Sequence, residues 1–227
     1  MLKVKNVTKS FGDIIAVSEV SFEVDEGEFV FITGPSGAGK TTLLRLILRE
    51  FLPDSGEIWF EEKDITMLKS KEIPKLRQEI GVVFQDFKVL PEKTLRENVE
   101  VALAVLGIPY SEWKDRVDQV LDLVGLTERQ SLFPSQLSGG ELQRTSLARA
   151  LVVNPKIILA DEPTGNLDWE TADAMMDLFQ KINEKGKTII MATHHKLIID
   201  KMKKRKIELK KGKLIKGKSS DKEADKK

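Results

Sequence analysis

Along the first thirty residues hydrophobic and polar positions alternate. Leu2-Lys3-Val4-Lys5 and Val20-Ser21-Phe22-Glu23-Val24 keep a period of two, which puts every second side chain on one face and predicts two half-buried strands. Phe29-Val30-Phe31-Ile32 replaces the alternation with a continuous apolar run, the pattern of a strand covered on both faces, and leads into a glycine-rich turn. A helix is predicted from Thr41 to Leu52. Further strands are predicted at Ile58-Trp59-Phe60, after the turn Pro53-Asp54-Ser55-Gly56, and at Ile80-Gly81-Val82-Val83-Phe84. Between Thr94 and Val153 the spacing becomes helical: Leu95, Val99, Leu103 and Leu106 share one face, as do Val117, Val120, Leu121 and Val124. Strands return at Ile157–Ala160 and Thr188–Ala192. Short apolar strands separated by helices predict an α/β chain with a mostly parallel sheet covered on both faces, interrupted by a helical lobe.

Composition narrows the class. A chain of 227 residues, 41% of them hydrophobic, suits one compact domain with a small subdomain. It holds no cysteine, which excludes disulfides and thiolate metal sites and fits a reducing compartment. No run approaches the roughly 20 apolar residues of a membrane-spanning helix, and the N-terminus lacks an apolar signal core. The expectation is a cytosolic chain whose membrane association, where it has one, is peripheral. Net charge is +1 but unevenly spread: from Lys196 onward there are 14 Lys and Arg against 5 Asp and Glu. The end of that segment, residues 216–227, reads as a solvated, disordered basic tail, with attraction to anionic lipid heads as the sharper alternative. No basic patch interleaved with aromatics points to nucleic acid.

Gly34-Pro35-Ser36-Gly37-Ala38-Gly39-Lys40-Thr41, followed by Thr42, satisfies the pattern G-x-x-x-x-G-K-[ST] between an apolar strand and a helix. Glycines let backbone N–H groups converge on phosphate oxygens, and the helix starting at Lys40 points its positive dipole end at the same anion. Lys40 is expected on the β- and γ-phosphates and Thr41 on Mg²⁺. The strand at Ile157–Ala160 ends in Asp161 and Glu162, two adjacent carboxylates that repel unless a cation stands nearby. Asp161 is expected to hold Mg²⁺, usually through water, and Glu162 to deprotonate the attacking water. His194, at the end of another strand, is placed to touch the γ-phosphate, and Gln85, after Phe84, to contact the metal or the water. His195 beside it reads as structural.

Leu137-Ser138-Gly139-Gly140-Glu141 opens a helix, with Ser138 as cap and Glu141 completing a capping box. Two glycines there cost helix stability, which a second anion-binding helix N-terminus, serving a neighbouring site, explains. With these motifs in order, residues 2 to 215 resemble the ABC (ATP-binding cassette) ATPases. The resemblance assigns Gly34–Thr41 to the Walker A loop, Gln85 to the Q-loop, Leu137–Glu141 to the signature and Ile157–Glu162 to Walker B with the catalytic Glu. It assigns Gly165-Asn166-Leu167-Asp168 to the D-loop, with Asp168 among the nucleotide-binding residues, His194 to the switch and Phe11 to adenine stacking. It departs from the usual pattern at Glu141 for Gln, Phe11 for Tyr and His195 for Asp.

That resemblance implies a P-loop NTPase fold with an N-terminal antiparallel β subdomain and a helical subdomain at roughly 87–155 within an ATPase domain of residues 1–215. It implies ATP and Mg²⁺ as ligands and a head-to-tail homodimer on ATP binding, in which Ser138, Gly139 and Gly140 act on the partner's nucleotide. It further implies an integral membrane subunit at the cytoplasmic face of the cell membrane. Within the family, Ile80–Pro91, Thr94-Leu95-Arg96-Glu97-Asn98-Val99 and Met191-Ala192-Thr193-His194 are similar to cell-division members, whose role is control of cell-wall hydrolysis. An exporter ATPase of the lipoprotein-releasing or macrolide type is the alternative. A DNA- or ribosome-directed ABC ATPase fits less well, for want of a second cassette or a coiled-coil insertion.

Overall fold

The computed structural model describes residues 1–216; of the basic tail only Lys216 falls among them, so the disorder expected there lies outside the described residues. The chain divides into two compact units, Met1–Pro74 with Thr188–Lys227, and Lys75–Lys187. The expected helical subdomain, 87–155, falls in sequence within the second.

In the first unit, β1 (Leu2–Phe11), β2 (Ile14–Val24), β4 (Ser55–Phe60) and β5 (Lys63–Asp64) form an antiparallel sheet in the order β2-β1-β4-β5. Its buried face carries Leu2, Val4, Val7, Val20, Phe22, Val24, Ile58 and Phe60, as the period of two requires. β1 runs on past Lys5, where the alternation ends, because Asn6 and Glu19 take left-handed φ angles of 49° and 50° and shift the register between Val4 and Val7. The same unit contains β3 (Phe29–Thr33), wholly buried, flanked in parallel by β8 (Thr188–Ala192) and β9 (Arg205–Lys210), with β10 (Lys213–Lys216) antiparallel to β9. α7 (Lys196–Met202) joins β8 to β9.

Helix α1 (Lys40–Ile47) buries Leu43, Leu44, Leu46 and Ile47 and stops short of the predicted Leu52. Arg49 adopts a left-handed φ of 54°, Arg49 N–H donates to Leu46 O (3.0 Å) and Glu50 N–H to Arg45 O (3.0 Å), which is a Schellman stop. The buried Arg49 guanidinium then donates to the carbonyls of Ile65 and Leu68.

Helix α2 (Ile73–Gln78) leads into the second unit, where β6 (Ile80–Val83) lies parallel to β7 (Ile157–Asp161). Between them run α3 (Leu95–Val105), α4 (Trp113–Leu123) and α5 (Gly139–Leu151), and α6 (Trp169–Glu184) follows β7. α3 packs on α4 and α5. Parallel strands with helical connections, and a separate antiparallel sheet, agree with the α/β fold read from the sequence.

Candidate functional site

In the first unit the phosphate loop spans the gap between β3 and α1. Gly34 (φ 148°) and Gly39 (φ 101°) are pressed against backbone: a Cβ on either would stand 2.2 Å from a carbonyl oxygen, Leu209 O or Ala16 O. The loop is thus held from β9 on one side and β2 on the other. Gly39 caps α1 without a side-chain hydrogen bond, so the helix presents its N-terminal dipole without a carboxylate or hydroxyl cap. Lys40 is buried, and its Nζ folds over the loop, donating to Gly34 O (2.9 Å) and Pro35 O (3.3 Å). Both acceptors are neutral carbonyls, which anionic phosphate oxygens can replace. Ser36, Gly37 and Thr41 are exposed, Ala38 is buried, and Thr42 is half-buried on α1.

β8 runs parallel to β3 with Ala192 opposite Ile32, and Thr193 N–H continues the ladder to Ile32 O (3.0 Å). His194 therefore leaves the sheet at the same strand ends as the loop, and it is exposed. His195 starts α7 and its N–H is held by Thr193 Oγ1 (3.1 Å), a structural place as expected. Phe11 ends β1, 43% exposed, in a T-shaped pair with Phe51 (ring centres 5.2 Å apart) and with Lys9 Nζ 5.5 Å from its ring centre.

In the second unit Val83 pairs with Ala160, so the segments after β6 and β7 leave one edge together, Gln85 from the first and Asp161-Glu162 from the second. Both acids are half-buried. Glu162 sits at φ 48°, an uncommon backbone state for a non-glycine residue, and its carbonyl accepts from Gly165 N–H (3.0 Å). The loop carrying Gln85 has two more left-handed residues, Phe87 (φ 57°) and Lys88 (φ 52°). Side chains of α5 hold it: Gln143 donates to Phe84 O (3.1 Å), and Arg149 to Phe87 O (3.1 Å) and Lys88 O (2.6 Å). Burial lowers the pKa of Arg149, which remains a cation. Sequence reasoning missed Gln143 and Arg149. The available signal was a polar Gln143 on the same helical face as the buried Leu147 and Ala150.

The signature helix α5 begins as predicted. Ser138 Oγ accepts from Glu141 N–H (3.3 Å) and donates to Glu141 Oε2 (2.8 Å), which also accepts from Ser138 N–H (2.8 Å). Arg129 Nε lies 3.2 Å from Glu141 Oε1. The Ser138 backbone donor, then its hydroxyl, then Arg129 hold the Glu141 carboxyl below its ordinary range. Gly140 has a packing reason the sequence did not disclose: a Cβ there would stand 2.4 Å from Thr171 Cγ2 on α6. Thr171 is fixed in turn by Asp168, which caps α6 by accepting from Thr171 N–H (3.0 Å) and Oγ1 (2.7 Å). Those donors lower the Asp168 pKa.

Threonine hydroxyl, glutamine amide and aspartate are oxygen donors, the set that suits Mg²⁺. Among the described residues no group of three or more His, Asp or Glu side chains forms a self-sufficient metal cage.

The ABC transporter family model matches residues 17–165. The cell-division ATP-binding protein FtsE of Bacillus subtilis is 48% identical over 220 residues, covering 96% of both chains. FtsE of Escherichia coli K12 is 43% identical, covering 94% of this chain and 97% of its own. A dimeric ABC transporter cassette, MJ0796, superposes with a TM-score of 0.85 at 39% identity, covering 95% of this chain and 97% of its own. The same cassette in a post-hydrolysis state with ADP and Pi gives 0.84 at 38% identity, with the same coverage. The chain belongs to the ABC transporter family of ATP-binding cassettes and, within it, to the FtsE type.

Proposed function

We propose that the chain binds ATP through the loop Gly34–Thr42, hydrolyses it with Glu162 as general base, and couples the cycle to a membrane partner. The observation that supports this most is the loop itself: two glycines seated on backbone carbonyls, an uncapped helix start, and a buried lysine folded over the same turn. Lys40 exchanges two neutral carbonyl acceptors for anionic phosphate oxygens, so that both partners of each bond are charged. Thr41, Gln85 and Asp161 are the residues to hold Mg²⁺, which when bound neutralises phosphate charge. Glu162 takes the proton of the attacking water, Gln85 orients that water, and His194 contacts the γ-phosphate. Phe11 stacks on adenine. Ser138, Gly139 and Gly140 serve the nucleotide of a second copy, and Asp168 keeps the first turn of α6 beside them. A homodimer closed by ATP is the working unit, within an ATPase domain of residues 1–215.

As in the FtsE type, we take the partner to be an FtsX-like integral membrane subunit at the cytoplasmic face of the cell membrane, and the output to be control of cell-wall hydrolysis in division. Among the described residues no helix is long and apolar enough to cross a membrane. An exporter of the lipoprotein-releasing or macrolide type would be revealed if affinity purification from the source cell recovered its permease in place of an FtsX-like protein. The chemistry is tested by the mass of Glu162→Gln with and without Mg-ATP. A monomer that dimerises only with nucleotide is expected; hydrolysis at the wild-type rate would refute the role of Glu162.

A further inference from the structure

Two amide side chains in the second unit hold each other across the segments that leave β6 and β7. Asn166 Nδ2 lies 3.0 Å from the backbone oxygen of Gln85, and Gln85 Nε2 lies 3.1 Å from Asn166 Oδ1. We infer that Asn166 is a positioning residue that fixes which end of the Gln85 amide faces the metal and the attacking water. The inference rests on the role proposed above for Gln85.

Hydrogen-bond logic sets the orientation. An amide's nitrogen and oxygen have nearly the same shape, so they are told apart by their partners. The backbone oxygen of Gln85 can only accept, so the Asn166 atom beside it must be the NH₂ group. That turns Asn166 Oδ1 toward the Gln85 side chain. Oδ1 also can only accept, so the atom it meets must be Gln85 Nε2. Gln85 Oε1 is then turned away from the clasp, and among the described residues it has no hydrogen-bond donor. An oxygen so presented can ligate a divalent cation or accept from a water; an NH₂ group in its place would repel the one and compete with the other.

The surroundings remove the other freedoms. The backbone of the Gln85 loop is tied down by Gln143 and Arg149, which leaves side-chain torsions as the remaining motion. The terminal amide torsion is broad and nearly two-fold, so an unclasped Gln85 would sample both orientations. Gly165 lets the amide lie on the turn, since a Cβ there would stand 2.8 Å from Gln85 Nε2. Both partners are exposed, so the clasp adds little to folding and acts on geometry.

The test reads metal binding without turnover. Full-length wild type, Asn166→Ala, Gln85→Ala and the double variant are loaded with a non-hydrolysable imido analogue of ATP and titrated with Mn²⁺, the free ion being followed by its electron paramagnetic resonance. Asn166→Ala is expected to weaken Mn²⁺ binding about tenfold, as loss of an orienting partner of a metal ligand does. The double variant is expected to bind Mn²⁺ no worse than Gln85→Ala, because Asn166 acts through Gln85. Analogue binding in EDTA should match wild type in all four. Asn166→Ser replaces the alanine variant should the latter melt early. Wild-type Mn²⁺ affinity in Asn166→Ala beside a weakened Gln85→Ala overturns the inference alone, as do fully additive losses in the double variant. Wild-type affinity in Gln85→Ala overturns the role of Gln85 and the inference with it.

Discussion

Gly39 shows how far residue chemistry alone reaches. The sequence pattern demands glycine there for a phosphate loop, and the structure adds that a methyl group would meet Ala16 O at 2.2 Å in a backbone state of φ 101°. Gly39→Ala should therefore weaken binding of a fluorescent ATP analogue at least tenfold while lowering the melting temperature, since such strain costs on the order of 1–3 kcal/mol. Glu141 allows a prediction with a sign. Its folded pKa lies below that of a free glutamate, so its stabilisation is present above the unfolded value and is lost as pH falls through the folded one. Glu141→Ala should cost about 1 kcal/mol at neutral pH, as removal of a cap does. In urea unfolding at about pH 3, below the ordinary glutamate pKa of about 4.3, the gap to wild type should narrow. Lys40, Thr41, Asp161, Glu162 and Ser138 stand out as candidates because a charge, a hydroxyl or a cap declares itself in the chain. The left-handed backbone of Glu162 and the loop-holding bonds of Gln143 and Arg149 do not, because they depend on what tertiary packing brings alongside.

Among the elements, alternation located β1 and β2 and helical spacing located α3 and α4, because each has one buried face, while the capping box of Ser138 and Glu141 located the start of α5. The pattern failed where a backbone switch intervenes. Asn6 carries β1 through a bulge that breaks the period without ending the strand, and Arg49 stops α1 without a glycine to announce it. Asn98 has the opposite character: it reads as one polar residue within an apolar helical face, and the structure makes it the hub of the segment before α3. Fully buried, it accepts from Leu90 N–H (2.7 Å) and donates to the carbonyls of Leu90, Lys93 and Thr94, each at 3.0 Å. Asn98→Leu would take away the acceptor of Leu90 N–H and the side-chain donor to Lys93 O, while Leu90 O keeps Lys93 N–H (3.2 Å) and Thr94 O keeps the backbone N–H of residue 98 (2.9 Å), for a loss of about 1–3 kcal/mol. Chemical denaturation should show that loss. Limited proteolysis should show earlier cleavage within residues 88–94, while ATP-analogue affinity, which depends on the loop after β3, should stay near that of wild type.

At the scale of the assembled molecule, the proposed dimer makes each site depend on both copies, which mixing two variants can expose. A site built from the Lys40 loop of one copy and the Ser138 helix of the other is dead when either is lost. Lys40→Ala and Ser138→Arg homodimers should thus each be inactive, the first for want of phosphate binding and the second because an arginine fills the approach to the γ-phosphate. In a mixed dimer one site combines both defects, while the other joins the intact Lys40 of the Ser138→Arg copy to the intact Ser138 of the Lys40→Ala copy. Random pairing puts half the dimers in this class with one working site of two, so equal mixing should restore up to about a quarter of wild-type hydrolysis under a closed two-fold arrangement. Such recovery from two dead proteins requires that the signature serve a neighbour. A chain that completed its own site would show none, and Ser138→Arg would then have to act within the copy that carries it.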